Sequence, residues 1–312
     1  MDRKTYFYMD DVIWIFRDIH RERPKSIFDN PIMKVFKEAH DKYGFKVMLN
    51  SFFRTDYFYG DDEFTLKDMT DEYKKEWEEN SDWIRIAFHA KQEFPDYPFI
   101  NSTYDDMKNS FLAFKKEVVR FAGEKVMSMT FNPHWGPVSK EGCRALGDLG
   151  IIVSSVTTAY TQEYNGDPLS LPYCLAGRLL QNRQPETKVL KSEGSLATSY
   201  DVCILGYNNF TKEEVEDSAF TFDYIKRDKE TGLNFKKHAN FICLNTVKYD
   251  DIAGIVEKHA DKLFLGGATH EQYSYPDYYA YQSDHLDKIL KLAEELHKNG
   301  YEYTFLEDIL EK

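Results

Sequence analysis

The sequence predicts an α/β fold, a distorted (β/α) barrel of about seven strands forming a single domain over residues 1–312. Three observations lead there. Short apolar runs alternate with amphipathic stretches from one end to the other, the pattern of βα units and not of separate all-β and all-α blocks. A chain of 312 residues and 36.7 kDa has room for one large barrel or two ordinary domains, and it can bury most of its apolar surface. Every candidate polar cluster falls at the end of a predicted strand, and parallel strands deliver their C-terminal ends to one rim.

Tyr6 to Asp10 reads as the first strand. Asp29 precedes Pro31 near the start of a helix that runs through Tyr43, where Gly44 closes it. Phe45 to Phe52 is the second strand, a charged helix lies around Asp68 to Glu79, and Trp83 to His89 is the third strand. Thr103-Tyr-Asp-Asp106 has the form of a capping box with Asp in place of Glu. It opens a helix whose Phe111, Phe114, Val118 and Phe121 recur at helical spacing, and Gly123 ends it. Val126 to Phe131 is the fourth strand, Ser139 to Leu149 a helix, and Ile151 to Ser155 the fifth strand after Gly150. From Val156 to Tyr200 periodicity is lost among Asn, Gly, Pro and Ser clusters, which predicts a long insertion over the rim, 156–200. Asp201 to Leu205 returns to strand character, and Thr211-Lys-Glu-Glu214 has the residues of a capping box for a helix reaching about Asp228. Strands near Phe241 to Leu244 and Leu263 to Leu265 bracket another helix. Leu286, Ile289, Leu290, Ala293 and His297 form a last helical stripe that ends at Gly300, before the alternating Tyr301-Glu-Tyr303-Thr-Phe305.

Composition narrows the function. Lys and Arg total 40 against 53 Asp and Glu, a net charge of −13 with no basic block, which argues against a nucleic-acid partner. A hydrophobic share of 42%, with 23 Phe, 22 Tyr and 4 Trp, excludes a wholly disordered chain. No apolar run approaches the roughly 18 residues of a membrane helix, so no membrane partner is expected. The start, MDRKTYFYMDD, lacks the basic region followed by a long apolar core that an export signal has. Cys143, Cys174, Cys203 and Cys243 form no CxxC pair and read as reduced thiols of a cytoplasmic protein.

Four clusters carry possible chemistry. Asp10-Asp11 is either a solvated turn or a functional pair; both side chains serve one site only if the backbone turns there, because strand neighbours point to opposite faces. His89 is either a hydrogen-bonded buried imidazole or a metal ligand. Glu93, four residues on, favours the second, since imidazoles and a carboxylate form a set that zinc accepts. Asn132-Pro133-His134-Trp135-Gly136 is a rigid turn, either a packed loop or a platform offering Trp135 to a sugar face and His134 to a metal. His270 with Glu271 is either a proton donor and its neighbour or a structural His, and the run Tyr273-Ser-Tyr275-Pro-Asp277-Tyr278-Tyr279 reads as an aromatic wall too polar for core.

The order and spacing of these clusters resemble the polysaccharide deacetylase family, carbohydrate esterases acting on N-acetylated sugars, over most of the chain. The family's Asp-Asp after strand one is matched by Tyr8-Met-Asp10-Asp11-Val12, which implies Asp10 as general base and Asp11 as a metal ligand. Its His-x-x-x-His reads His89-Ala-Lys-Gln-Glu93, with the second His replaced by Glu. Its Arg-Pro-Pro-aromatic-Gly corresponds to Asn132-Pro133-His134-Trp135-Gly136, keeping a Pro, the aromatic and the Gly but losing the Arg that tunes the base in relatives. Its Leu-x-His is met by Ala268-Thr269-His270, making His270 the acid, and the ending Leu292 to Glu307 is family-like. The Asp-x-x-Asp-Trp motif has no counterpart, since no Trp follows Trp135.

The resemblance implies a divergent deacetylase-type barrel that removes an acetyl group, as amide or ester, from a carbohydrate with a divalent metal. Asp11 and His89 would be ligands, with Glu93 and His134 competing for the third place. Two imidazoles and a carboxylate would favour zinc. Asn132, Trp135, Glu271 and Tyr273 are the expected sugar contacts. Two other classes compete: a non-catalytic or weakly active carbohydrate-binding barrel, and a glycoside hydrolase. The latter needs carboxylates about 5–10 Å apart, a spacing that adjacent Asp10 and Asp11 serve poorly.

Overall fold

Apolar runs rich in β-branched and aromatic residues become short, deeply buried strands. The computed structural model describes residues 3–56, 63–94, 98–99, 102–134, 138–156, 225–227, 231–237 and 241–310. Its strands are β1 (Arg3–Thr5), β2 (Phe7–Val12), β3 (Val47–Phe52), β4 (Ile84–Ala90), β5 (Thr130–Phe131), β6 (Val153–Val156), β7 (Ile225–Arg227), β8 (Asn234–Lys237), β9 (Phe241–Cys243), β10 (Gly266–His270) and β11 (Tyr301–Tyr303). The chain forms two compact units, one from residues 1–92, 113–128 and 240–312, the other from 93–112 and 129–239.

In the first unit five strands pair in the order β4-β3-β2-β10-β9, all parallel. Every residue of β2 and β3 is buried, as expected of parallel strands covered on both faces. β1 pairs separately with β11. The helix Pro31–Tyr43 forms as the sequence predicts. Asn30 Oδ1 accepts from the N–H groups of Ile32 and Met33 at 3.0 and 3.3 Å, and Gly44 closes the helix at φ 68°. Phe36 from this helix stacks on Phe45 and meets Phe7 of β2 edge-on. A Cβ on Gly267 would lie 2.7 Å from both Leu292 and Phe7, so the bare glycine lets β10 lie close under the helix His285–Lys298.

In the second unit the order is β5-β6-β8-β7, parallel except for the β7–β8 pair. Ser139 Oγ caps the helix Lys140–Asp148 by accepting from Gly142 N at 2.9 Å. Thr103 and Asp106 form their predicted reciprocal bonds at the start of the helix Tyr104–Phe121, whose residues from 113 onward belong to the first unit.

The differences from expectation have local causes. Within Val126–Phe131 only Thr130 and Phe131 are strand; Glu124–Val126 is a 3₁₀ turn that begins right after Gly123, at φ 94°. The helix predicted around Asp68 to Glu79 is shortened to Lys74–Glu79. Leu263 to Leu265 yields to β10, which begins at Gly266, although Phe264 still bridges Lys4. The helix expected to reach about Asp228 is contradicted at its end, where 225–227 are β7, drawn into antiparallel pairing with β8. The insertion at 157–200, the strand Asp201 to Leu205, the cap at Thr211, and Cys174 and Cys203 lie outside the described residues. The structure is therefore an α/β fold with mostly parallel sheet. The described ladders of neither unit close into the ring of a barrel. No described helix is long and apolar enough to cross a membrane.

Candidate functional site

The parallel strands of the first unit bring four of the predicted residues to one sheet edge. β2 ends in Asp10 and Asp11, β4 carries His89 near its end, and β10 ends in His270. Asp10 and His270 are direct register partners on the adjacent strands β2 and β10. The β2–β3 register shifts between Met9 and Val12, and within that bulge Asp11 adopts φ 62°. This is the backbone turn that adjacent acids need in order to reach different partners. Asp tolerates the left-handed region better than most residues, at a cost of about 1–2 kcal/mol.

Asp10 Oδ1 accepts from Asn50 Nδ2 at 2.6 Å, and Asp11 Oδ1 lies 3.1 Å from His89 Nε2. All four side chains are buried. The Phe52 ring, 5.4 Å from the His89 ring, packs beside that imidazole. Two donors on a tetrahedral zinc with bonds near 2 Å stand about 3.3 Å apart, so the spacing and chemistry of Asp11 and His89 suit a shared divalent ion.

His270 is half-buried, with Nδ1 3.1 Å from Asn245 Oδ1. Burial pulls the imidazole's pKa down, but the Cys243 sulfur, Asp11 and Asp10 outweigh it and raise it to about 10. Cys243 Sγ also donates to Asn245 Oδ1, at 2.9 Å.

Glu271 corrects the expectation of a sugar contact. It is fully buried, and its two oxygens accept from the N–H groups of Ile13, Trp14 and Ile15 at 2.8, 2.7 and 2.6 Å. It therefore caps the helix Trp14–Glu22, whose own cap position, Ile13, has no side-chain acceptor. Burial pushes its pKa up to about 8 against the pull of those three donors. The aromatic run is likewise part of the packing. Tyr275 and Tyr278 meet Trp14 edge-on at 4.9 and 6.3 Å, Tyr278 is buried, and Tyr279 is 59% exposed. Tyr273 is half-buried with its ring 6.1 Å from His270, and burial pushes its pKa up to about 12.

In the second unit His134 and Glu93 are buried together. His134 Nε2 lies 2.9 Å from the Glu93 carbonyl and 3.7 Å from its carboxylate. Asn132 is buried beside the end of β5, and Trp135 lies outside the described residues.

The sequence reading missed Asn50, Cys243 and Asn245. Asn50 left one signal, a polar residue inside a mostly apolar strand. Two surface grooves of the first unit, of about 500 and 420 Å³, contain none of the site residues.

No protein-family profile and no curated protein matches the chain. Solved structures do. One is the Xyl-CE4 domain of a multidomain xylanase from the hindgut metagenome of Trinervitermes trinervoides, at 9% identity and TM-score 0.44, with 100% of this chain and 91% of that chain covered. Another is a family 4 carbohydrate esterase from Streptomyces lividans, at 8% and 0.44, with 97% and 93% covered. A 4-α-glucanotransferase from Thermococcus litoralis matches at 10% and 0.52, covering 100% of this chain but 41% of that one. What the chain shares with the glucanotransferase is fold, and several of the other structures similar to it are carbohydrate esterase family 4 or polysaccharide deacetylase proteins.

Proposed function

We propose that this chain is a divergent, metal-dependent hydrolase of the polysaccharide deacetylase type, which removes an acetyl group from the amide or ester of a carbohydrate. The observation that carries the reading is the bulge at Asp11, which sends that carboxylate to His89 while Asp10 stays in register with His270. Asp11 and His89 would hold a divalent cation, with zinc favoured by the imidazole and carboxylate donors. When bound, such an ion supplies Lewis-acid polarisation of the acyl carbonyl.

Within the second unit, the His134 Nε2–H is engaged by the Glu93 carbonyl, the way metal-bound imidazoles are commonly oriented, so His134 would offer Nδ1 as a donor and Glu93 would orient it. Asp10 takes the proton of the attacking water, and His270 gives one from Nε2 to the leaving sugar nitrogen or oxygen. Tyr273, whose ring lies beside His270, contacts the sugar.

The test is elemental analysis of protein purified without chelator, together with acetate release from N- and O-acetylated oligosaccharides. Asp11→Asn and His89→Ala are expected to lose the metal, whereas Asp10→Asn keeps it and loses turnover. Undiminished activity in all three overturns the assignment. His134→Ala against Glu93→Ala, compared by metal stoichiometry, decides the third ligand. Metal retained without turnover on any acetylated sugar would favour a carbohydrate-binding protein.

A further inference from the structure

We propose that two neutral amides, Asn50 and Asn245, are the positioning residues of the acid–base pair, Asn50 orienting Asp10 and Asn245 orienting His270. The inference rests on the reading of Asp10 as base and His270 as acid. The strand order places the amides on either side of that pair: β3 carries Asn50 beside β2, and Asn245 follows β9 beside β10.

Asn50 is fully buried in a strand whose residues are all buried, and its Nδ2 donates to Asp10 at 2.6 Å. Its Oδ1 has no hydrogen-bond partner among the described residues. A buried acceptor left unpaired costs about 1–3 kcal/mol. What the amide supplies in exchange is the bond to Asp10.

Asn245 is held from several sides. Its Oδ1 accepts from His270 Nδ1 and Cys243 Sγ, its backbone carbonyl accepts from Gln282 Nε2 at 2.8 Å, and its side chain bonds the Tyr273 hydroxyl. With Nδ1–H given to Asn245, the proton that His270 exchanges sits on Nε2. Neutral amides fix direction without adding charge, which separates this arrangement from one built on an arginine or a carboxylate.

The experiment compares Asn50→Leu, Asn50→Ala, Asn245→Ala and Asn245→Asp with the wild type by crystal structure, metal content and acetate-release kinetics. Leu keeps the branched outline of the Asn50 side chain in a larger volume and removes the unpaired acceptor, so it gives a second variant should the Ala variant fold poorly. The expected result is a turned Asp10 or His270 side chain, unchanged metal content, and a kcat reduced about 10- to 100-fold with KM within about twofold. Asn245→Asp keeps an acceptor for Nδ1 and should recover most of the kcat lost in Asn245→Ala, a rescue that a purely structural role would not give. Unturned side chains, or full kcat with turned ones, overturn the proposal. If the wild type neither holds metal nor releases acetate, the hydrolase reading fails on its own, and the crystal structures still decide whether the amides orient Asp10 and His270.

Discussion

Asp11 and Glu271 are both buried carboxylates at strand ends of one sheet, yet their surroundings differ in kind. Asp11 faces an imidazole from another strand, on a backbone bent out of the regular pleat. Glu271 faces three backbone N–H groups and completes a helix. The lesson is that position at a strand end does not assign a role. A carboxylate partnered by backbone is part of the architecture, while one partnered by an ionisable side chain can exchange that partner for an ion or a proton.

The sharpest way to break this comparison is to exchange the readouts. Asp11→Asn, which keeps the left-handed backbone acceptable, should abolish bound metal while changing stability by no more than about 1 kcal/mol, measured by elemental analysis and denaturant melts. Glu271→Ala should cost at least about 3 kcal/mol by urea unfolding, because it orphans three buried donors worth about 1–3 kcal/mol each. A Glu271→Ala protein as stable as the wild type would show that the cap is not structural.

Acid and base limbs of stability give the next largest effect. His285 is buried between the Thr269 and Ser274 hydroxyls, and burial lowers its pKa to about 3. Its contribution is full above pH 6.5 and is lost as pH falls toward 3, on the order of 3 kcal/mol by pH 4. Glu271 has the opposite sign: with its folded pKa raised from 4.5 to about 8, its contribution is full below 4.5 and is lost as pH rises through 8. Urea melts across pH should therefore lose the acid limb in His285→Gln and the decline from pH 4.5 to 8 in Glu271→Gln. Identical pH profiles in wild type and variants would remove both linkages. The smallest effect belongs to the exposed Tyr279, where Tyr279→Ala should stay within about 0.5 kcal/mol by the same melts, against a larger loss at the buried Tyr278.

Much of the fold was legible where the signal is local. Thr103, Ser139 and Gly300 mark helix ends through bonds or dihedrals formed within a few residues, and the structure places those ends as read, whereas the helix at Pro31 is capped by Asn30 and not by the Asp29 that the reading singled out. The helix Trp14–Glu22 escaped notice for the converse reason. Its cap position holds Ile13 and not Ser, Thr, Asp or Asn, and its cap arrives from Glu271, 256 to 258 residues away. In the site, Asp10, Asp11, His89 and His270 stood out by residue type at strand ends, whereas Asn50 and Asn245 did not, because an amide has no meaning until its neighbour is known.

The sequence by itself determined the alternation of strands and helices, most helix ends and the residue types gathered at the C-terminal ends of the strands, since periodicity and capping act over a few residues. Only the tertiary structure decided which of those residues meet. Strand order and register set Asp10 against His270, the bulge turned Asp11 to His89, and a distant helix N-terminus claimed Glu271. Such pairings follow from hydrogen bonds between strands far apart in the chain, and no local pattern encodes them.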